Sequence, residues 1–329
     1  MSSLPTTYDP VQDPPRDAVI ETRGLTAYFG DKCVVDQLSL RVPRGSVFAF
    51  LGRNGSGKTT TIRMLLGLLP PTRGASAVLG CDSRALTPAV LARVGYMSES
   101  HSLFDWMTVR QSGEFASRFY PRWQQRIFDS IVGHFRLSPG SKAGRLSRGE
   151  RAGLSLAITL APQPELLILD DPALGLDPVA RRSLLESMIY VTRGAERTIF
   201  FSSHLLDDVE RVADHVAVLD RSVLRASGSI ETIRAGVRQF VLRFDTPHAP
   251  PALPPIRGLL HARQLEHEVR LVIAAPDDDT QRVIRSLGAS AVDEVPVSFA
   301  DAMIGYLGDR GQQGFFLDDA VFEPAGGAT

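Results

Sequence analysis

The sequence predicts an α/β fold with a largely parallel sheet, and three observations carry that expectation. Between Ala18 and about Gly236, short apolar runs alternate with helical patterns. Four runs, at residues 46–51, 166–170, 198–202 and 215–219, are almost continuously hydrophobic, which suits strands covered on both faces. The first of them leads directly into the glycine-rich stretch "GRNGSGKTT", residues 52–60, and then into a helical run over 60–69. Strand, glycine loop and helix in that order are the context in which such a loop cradles phosphate.

Taken along the chain, each segment has its own reading. Residues 1–17, "MSSLPTTYDPVQDPPRD", are polar and rich in proline, with no charged region followed by an apolar one; they read as a disordered lead-in rather than a secretory signal. In the glycine loop, Gly52, Gly55 and Gly57 let backbone amides turn toward phosphate oxygens, and the following helix N-terminus adds a favourable dipole. Lys58 is expected to neutralise β/γ-phosphates and Thr59 to hold Mg²⁺ through its hydroxyl. The chain contains only three lysines, Lys32, Lys58 and Lys142, so a lysine in this loop is informative.

From about residue 107 to residue 160 the periodicity is helical, with Phe115, Phe119, Trp123, Ile127, Phe128 and Ile131 and little strand character. This predicts a helical subdomain, about 100–160, inserted into the α/β core. The next apolar run closes on two successive acids, "LDDP". Asp170 ends the strand, where an acid can reach Mg²⁺; Asp171 follows at the C-terminal edge of the sheet, where ligands of open α/β sheets bind. A second carboxylate there can orient an attacking water, which makes Asp171 the candidate base.

Beyond residue 236 a small α+β unit is expected over 237–310, with strands near 239–244 and 269–273. The proline-dense stretch 246–258 reads as a connection inside it. Asp277, Asp278 and Asp279 after Pro276 read as the start of a helix, since acids suit the positive end of its dipole. Residues 311–329 are expected to be a flexible tail, and no internal repeat is visible.

Composition narrows the function classes. With 329 residues and 43% of them hydrophobic, the chain can bury a substantial core. A formal charge of −1 gives no bias toward nucleic acid or anionic membrane. Cys33 and Cys81 stand far apart without metal-ligand spacing, so neither a disulfide framework nor a zinc site is indicated, and a reducing cytoplasm fits. Apolar stretches such as 47–51 and 64–69 fall well short of the roughly 20 residues that span a bilayer. Any membrane part is expected on another chain.

Further motifs follow in a specific order. "LSRGER" at 146–151 precedes the double acid, "ALGLD" at 173–177 follows it, and "SSHL" at 202–205 closes the next strand. Over about residues 18–236 the chain resembles the ATPase subunits of ABC transporters, and "AVDEVPVSFADAMIGYLG" at 291–308 is similar to the C-terminal extension of bacterial ABC-2-type exporter ATPases. The resemblance implies a P-loop NTPase fold of the ABC type and the cofactors ATP and Mg²⁺. It also implies a head-to-tail dimer, homo- or heteromeric, holding two nucleotides between the phosphate loop of one subunit and the signature of the other. The loop set is Gly52, Asn54, Gly55, Ser56, Gly57, Lys58, Thr59 and Thr60; Ser147 and Gly149 of the signature contact the γ-phosphate bound by the partner, and Asp177 of the D-loop is a further nucleotide-binding residue. Phe29, with Tyr28 as the fallback, matches the aromatic that stacks on adenine. His204 matches the switch histidine at the γ-phosphate, so the catalytic set is Lys58, Asp171 and His204, and the metal set is Thr59, Glu99 and Asp170.

The chain departs from the family pattern at informative places. Asp171 stands where glutamate is usual, Glu99 where glutamine is usual, and Arg148 and Glu150 occupy two signature positions. A carboxylate shorter by one methylene is withdrawn by roughly an ångström, and misplacement on that scale can cost about a hundredfold in rate. The expected function is a slow but active ATPase, cytoplasmic and peripheral on the inner face of the plasma membrane, energising a separate permease. "HSLFDWMTV" at 101–109 offers Phe104, Trp106 and Met107 to line the groove for a permease helix, or else to pack the subdomain core. The alternatives are a hydrolysis-impaired nucleotide switch subunit and a soluble ABC protein outside transport. The latter usually carries two motif sets or a long coiled coil, and this chain has one set and no sustained heptads.

Overall fold

The computed structural model describes residues 18–192, 197–245, 253–265 and 267–308, which fall into two compact units divided between Ile230 and Glu231. The expected lead-in at 1–17, most of the proline-dense connection and the tail from Gly311 lie outside the described residues.

The first unit opens with β1 (Ala18–Phe29) and β2 (Lys32–Pro43), an antiparallel pair joined through Gly30 and Asp31. Gly30 has φ +58°, a left-handed conformation that glycine adopts without cost. Next comes β3 (Val47–Gly52), buried at every residue as its unbroken apolar sequence demands, then the glycine loop and α1 (Lys58–Leu65). β4 (Arg73–Val78) pairs with β1, and β5 (Cys81–Asp82) completes a four-stranded sheet in the order β2-β1-β4-β5. Hydrophobic periodicity does not reveal these strands, because bulges interrupt the alternation of buried and exposed positions along them.

A short helix α2 (Pro88–Leu91), with proline in its first turn and Thr87 as cap, leads to β6 (Val94–Met97). The helical insertion then forms from α3 (Val109–Ser117), α4 (Gln125–His134) and α5 (Arg148–Leu160). Its core holds Val109, Phe128, Val132, Leu154 and Ala157, with Trp123 and Ile131 packed at the margin. Phe115 and Phe119, which share the helical period, are exposed instead.

The chain returns to the sheet with β7 (Leu166–Leu169), α6 (Pro178–Thr192), β8 (Thr198–Ser203), α7 (Leu206–Val212), β9 (His215–Asp220) and β10 (Val223–Ser229). The central sheet runs β10-β9-β3-β8-β7-β6, parallel except for β10. Phe48, Phe50 and Phe200 fill its core, with ring centroids 5.9 Å apart for Phe48–Phe200 and 5.4 Å for Phe50–Phe200. The strand order matters for chemistry: β8 lies between β3 and β7, so three strand ends line up at one edge. These carry the glycine loop, the Ser-Ser-His segment and the double acid.

The helix α8 (Ile230–Gly236) spans the point of division. The second unit carries β11 (Val237–Arg243), β12 (Leu259–Leu265), β13 (Glu268–Ala274), α9 (Asp278–Ser286), β14 (Ala291–Pro296) and α10 (Phe299–Leu307). Its sheet is antiparallel, ordered β12-β13-β11-β14, over a core of Phe240, Leu242, Leu271, Ile273 and Ile284. Asp277 caps α9, accepting from the Thr280 amide at 2.8 Å, so the acidic cluster is engaged in starting a helix.

Candidate active site

The glycine loop joins β3 to α1 through residues that a side chain could not replace. Gly57, with φ +110°, caps α1 in a left-handed conformation, and an added Cβ would collide with the Val34 carbonyl. This close approach brings the β1-β2 hairpin against the loop, and Val34 lines the resulting cleft. The cleft has a volume of about 300 Å³, and its walls include Asn54, Gly55, Lys58, Thr59, Glu99 and Asp171. Residues separated by more than a hundred positions in sequence therefore face one space.

Lys58 is buried, and its ammonium donates to the Gly52 carbonyl at 2.9 Å. Its other partner is the Asp171 carboxylate, 3.5 Å away and also buried. A buried cation and anion hold each other there; removing either leaves a desolvated charge, at a cost of about 3–5 kcal/mol. Asp170 is deeper still, 1% exposed, with one oxygen accepting from Thr59 Oγ1 at 3.2 Å and from Ser202 Oγ at 2.8 Å. Magnesium takes oxygen ligands and keeps several waters, so a hydroxyl and a carboxylate this close, with Glu99 on the cleft wall, fit such an ion chemically. Ser56 Oγ is buried in the loop without a hydrogen-bond partner, an available polar group beside the phosphate cradle.

Asp171 has φ +40°, unusual for a residue with a side chain and costing on the order of 1–3 kcal/mol. Its amide donates to Ser202 Oγ at 2.7 Å, and one carboxylate oxygen meets His204 Nδ1 at 3.1 Å. A carboxylate only accepts, so Nδ1 carries the proton of this contact. Ser202 thus bridges both acids, donating to Asp170 and accepting from Asp171. Ser202 has no charge to mark it in the sequence; its position two residues before His204 at a strand end is the available signal.

The other expected residues lie elsewhere. Ser147 caps α5, accepting from the Glu150 amide at 3.3 Å while its own amide donates to Glu150 Oε2 at 2.8 Å. Asp177 caps α6 through the amides of Val179 and Ala180 at 2.9 and 3.0 Å. Gly149 packs against Ala180, where a Cβ would come within 2.8 Å, and Arg148 lies against Gly175. Signature and D-loop therefore form one surface, and none of Ser147, Gly149 and Asp177 lines the cleft. Phe29 and Tyr28 are half exposed at the end of β1. The Tyr28 phenol is pushed up from its ordinary value, chiefly by a hydrogen bond with Cys33.

The segment after Glu99 divides the expected groove residues. Phe104 and Trp106 are 53% and 65% exposed, with ring centroids 6.0 Å apart; Phe104 also meets Phe115 at 5.6 Å, and Phe115 meets Phe119 at 5.1 Å. Met107 is buried and does not join this patch: its carbonyl accepts from the Ala143 amide at 2.8 Å, which turns the residue into the subdomain.

Comparison with known proteins places this architecture. A family profile described as ABC transporter matches residues 35–174. The chain is 34% identical to the bacitracin transport ATP-binding protein BcrA of Bacillus licheniformis, over 63% of this chain and 68% of that protein. It is 34% identical to the Nod factor export ATP-binding protein I of Bradyrhizobium diazoefficiens, over 65% of this chain and 71% of that one. A solved structure described as the ATP binding subunit of an ABC transporter is similar with a TM-score of 0.60 at 27% identity, covering 66% of this chain and 92% of its own.

Proposed function

This chain belongs to the ATP-binding proteins of ABC transporters, and we propose that it hydrolyses ATP slowly, as one half of a head-to-tail dimer, to drive export through a separate permease. The observation that carries the hydrolytic reading is the meeting of Lys58, Asp171 and His204 at one sheet edge beside the Thr59–Asp170 pair. The loop amides and Lys58 bind the terminal phosphates; Thr59, Asp170 and Glu99 hold Mg²⁺, which when bound offsets phosphate charge. When phosphate oxygens draw the Lys58 ammonium, Asp171 loses one of its two partners and its carboxylate becomes free to orient a water. His204 stays on the other oxygen and keeps that carboxylate aimed. Phe29, with Tyr28 beside it, receives the adenine.

The second half of the nucleotide site comes from the partner subunit's signature. Ser147, Gly149 and Asp177 lie together away from the cleft, which supports a contact made across a dimer rather than within one chain. The exposed rings of Phe104, Trp106, Phe115 and Phe119 are the docking surface for the permease, since apolar rings gathered on a surface mark an interaction site. No helix among the described residues is long and apolar enough to cross a membrane, and the reading assigns the transport pathway to that partner. The direction of transport rests on the likeness to the Nod factor export protein and on the C-terminal extension.

Steady-state phosphate release from ATP by the purified chain, wild type against Lys58→Ala and Asp171→Glu, tests the reading. Activity is expected in the wild type, falling to background in Lys58→Ala. Asp171→Glu should raise the rate by about tenfold or more, because the longer carboxylate recovers about an ångström of reach. If Asp171→Glu lowers the rate, the shorter acid is the better fit here and the slow-ATPase reading fails.

A further inference from the structure

The segment that bears the exposed rings is joined to the double acid by one buried histidine. His101 is 6% exposed and has φ +46°, so both its burial and its backbone are costly for a polar, non-glycine residue. Its Nε2 lies 3.0 Å from the carbonyl oxygen of Pro172. A carbonyl only accepts, so Nε2 carries the proton. Burial, with a smaller contribution from the nearby charges of Arg151 and Arg148, holds the imidazole pKa below its ordinary value against the raising effect of the Pro172 hydrogen bond.

Pro172 follows Asp171 directly, so its carbonyl is part of the backbone that aims the Asp171 carboxylate. That backbone is held on its other side by Ser202 Oγ at the Asp171 amide, 2.7 Å away. Aspartate has only two side-chain torsions, and where glutamate would adjust with a third, the position of this carboxylate follows its main chain. The segment carrying His101 is itself firmly attached. Its amide donates to Ser98 at 2.9 Å, Arg151 Nη1 donates to Asp105 at 2.7 Å, and the Gly144 amide donates to the Asp105 carbonyl at 3.0 Å. The exposed Phe104 and Trp106 lie three and five residues beyond the histidine.

We infer that His101 is a positioning residue that ties the Asp171 backbone to the aromatic segment, so that nucleotide at the cleft and contact at Trp106 are sensed by one hydrogen bond. The inference rests on the nucleotide-site reading above. His101 does not line the cleft and acts through Pro172 on Asp171.

Two variants separate this role from packing. His101→Phe keeps a flat ring and removes the donor, whereas His101→Gln restores an N–H at the end of a comparable reach. Phosphate release by the purified chain should show kcat lowered about tenfold in His101→Phe with KM for ATP little changed, and largely recovered in His101→Gln. The thermal unfolding midpoint is measured for both, so that a variant that fails to fold is recognised. A second readout needs no turnover. In a Trp123→Phe background Trp106 is the sole tryptophan, and its emission is followed as Mg-ATP binds, with binding itself measured by equilibrium dialysis. The emission should change in the parent and in His101→Gln, and stay constant in His101→Phe although ATP binds. An emission change that persists in a folded, ATP-binding His101→Phe overturns the inference, as does a parent that binds ATP with no change. Absent phosphate release with the expected emission pattern sinks the hydrolytic reading and leaves the positioning role supported.

Discussion

At the scale of single residues, the second acid of "LDDP" is the clearest case of chemistry that needed three dimensions to interpret. Its charge and its place after an apolar run suggested a base, and the structure adds its partners: Lys58 at 3.5 Å, His204 at 3.1 Å and the amide bond to Ser202. None of these is near in sequence. A different histidine illustrates what burial does to titration. His215 opens β9 with its ring stacked 6.1 Å from Phe48, and its Nδ1 is buried without a hydrogen-bond partner. Burial lowers its pKa, and the opposing pull of Asp214 is the smaller effect. Above the usual histidine value of about 6.5 the ring is neutral folded or unfolded and adds no pH dependence to stability. As pH falls below about 6.5 the unfolded chain takes up a proton that the folded chain refuses, so stability drops until the folded value is passed. Unfolding midpoints measured from neutral pH downward should therefore fall more steeply for wild type than for His215→Phe. Parallel curves would show that this ring does not set the acid response.

At the scale of elements, the buried strands were legible because full burial on both faces leaves an unbroken apolar run, as in β3 and β8. The strands of the other sheet in the same unit were not, because bulges break their alternation. Helical periodicity identified the insertion but could not say which rings face inward. Phe128 went to the core and Phe115 to the surface, although both lie on the same predicted pattern. The segment between Glu99 and α3 has the same lesson, with Met107 buried beside exposed Phe104 and Trp106. Because Trp106 projects into solvent, Trp106→Ala should leave the unfolding midpoint nearly unchanged, as surface changes are usually within about 0.5 kcal/mol. Reconstituted with its permease, the variant should lose the partner-stimulated part of phosphate release. A large fall in midpoint would instead assign the ring to the subdomain core.

At the scale of the whole molecule, Ser147, Gly149 and Asp177 gather away from the cleft, and the proposed function assigns them to the nucleotide site of a second copy. Two copies arranged head to tail would complete two sites. Light scattering should then show an ATP- and Mg²⁺-dependent rise from one chain to two, enhanced in Asp171→Asn and lost in Ser147→Arg. A mass that stays at one chain with ATP bound in every variant would refute dimerisation by the chain alone. The sequence by itself determined the fold class, the phosphate loop, the order of the motifs and the carboxylate pair, because each is written in local spacing and hydrophobic pattern. Only the tertiary structure decided that β8 lies between β3 and β7. That strand order sets Ser202 and His204 between the loop and the acids, brings Lys58 onto Asp171 and leaves Pro172 within reach of His101. Pairing between distant strands is fixed by the packing of the whole sheet, which no local stretch of sequence records.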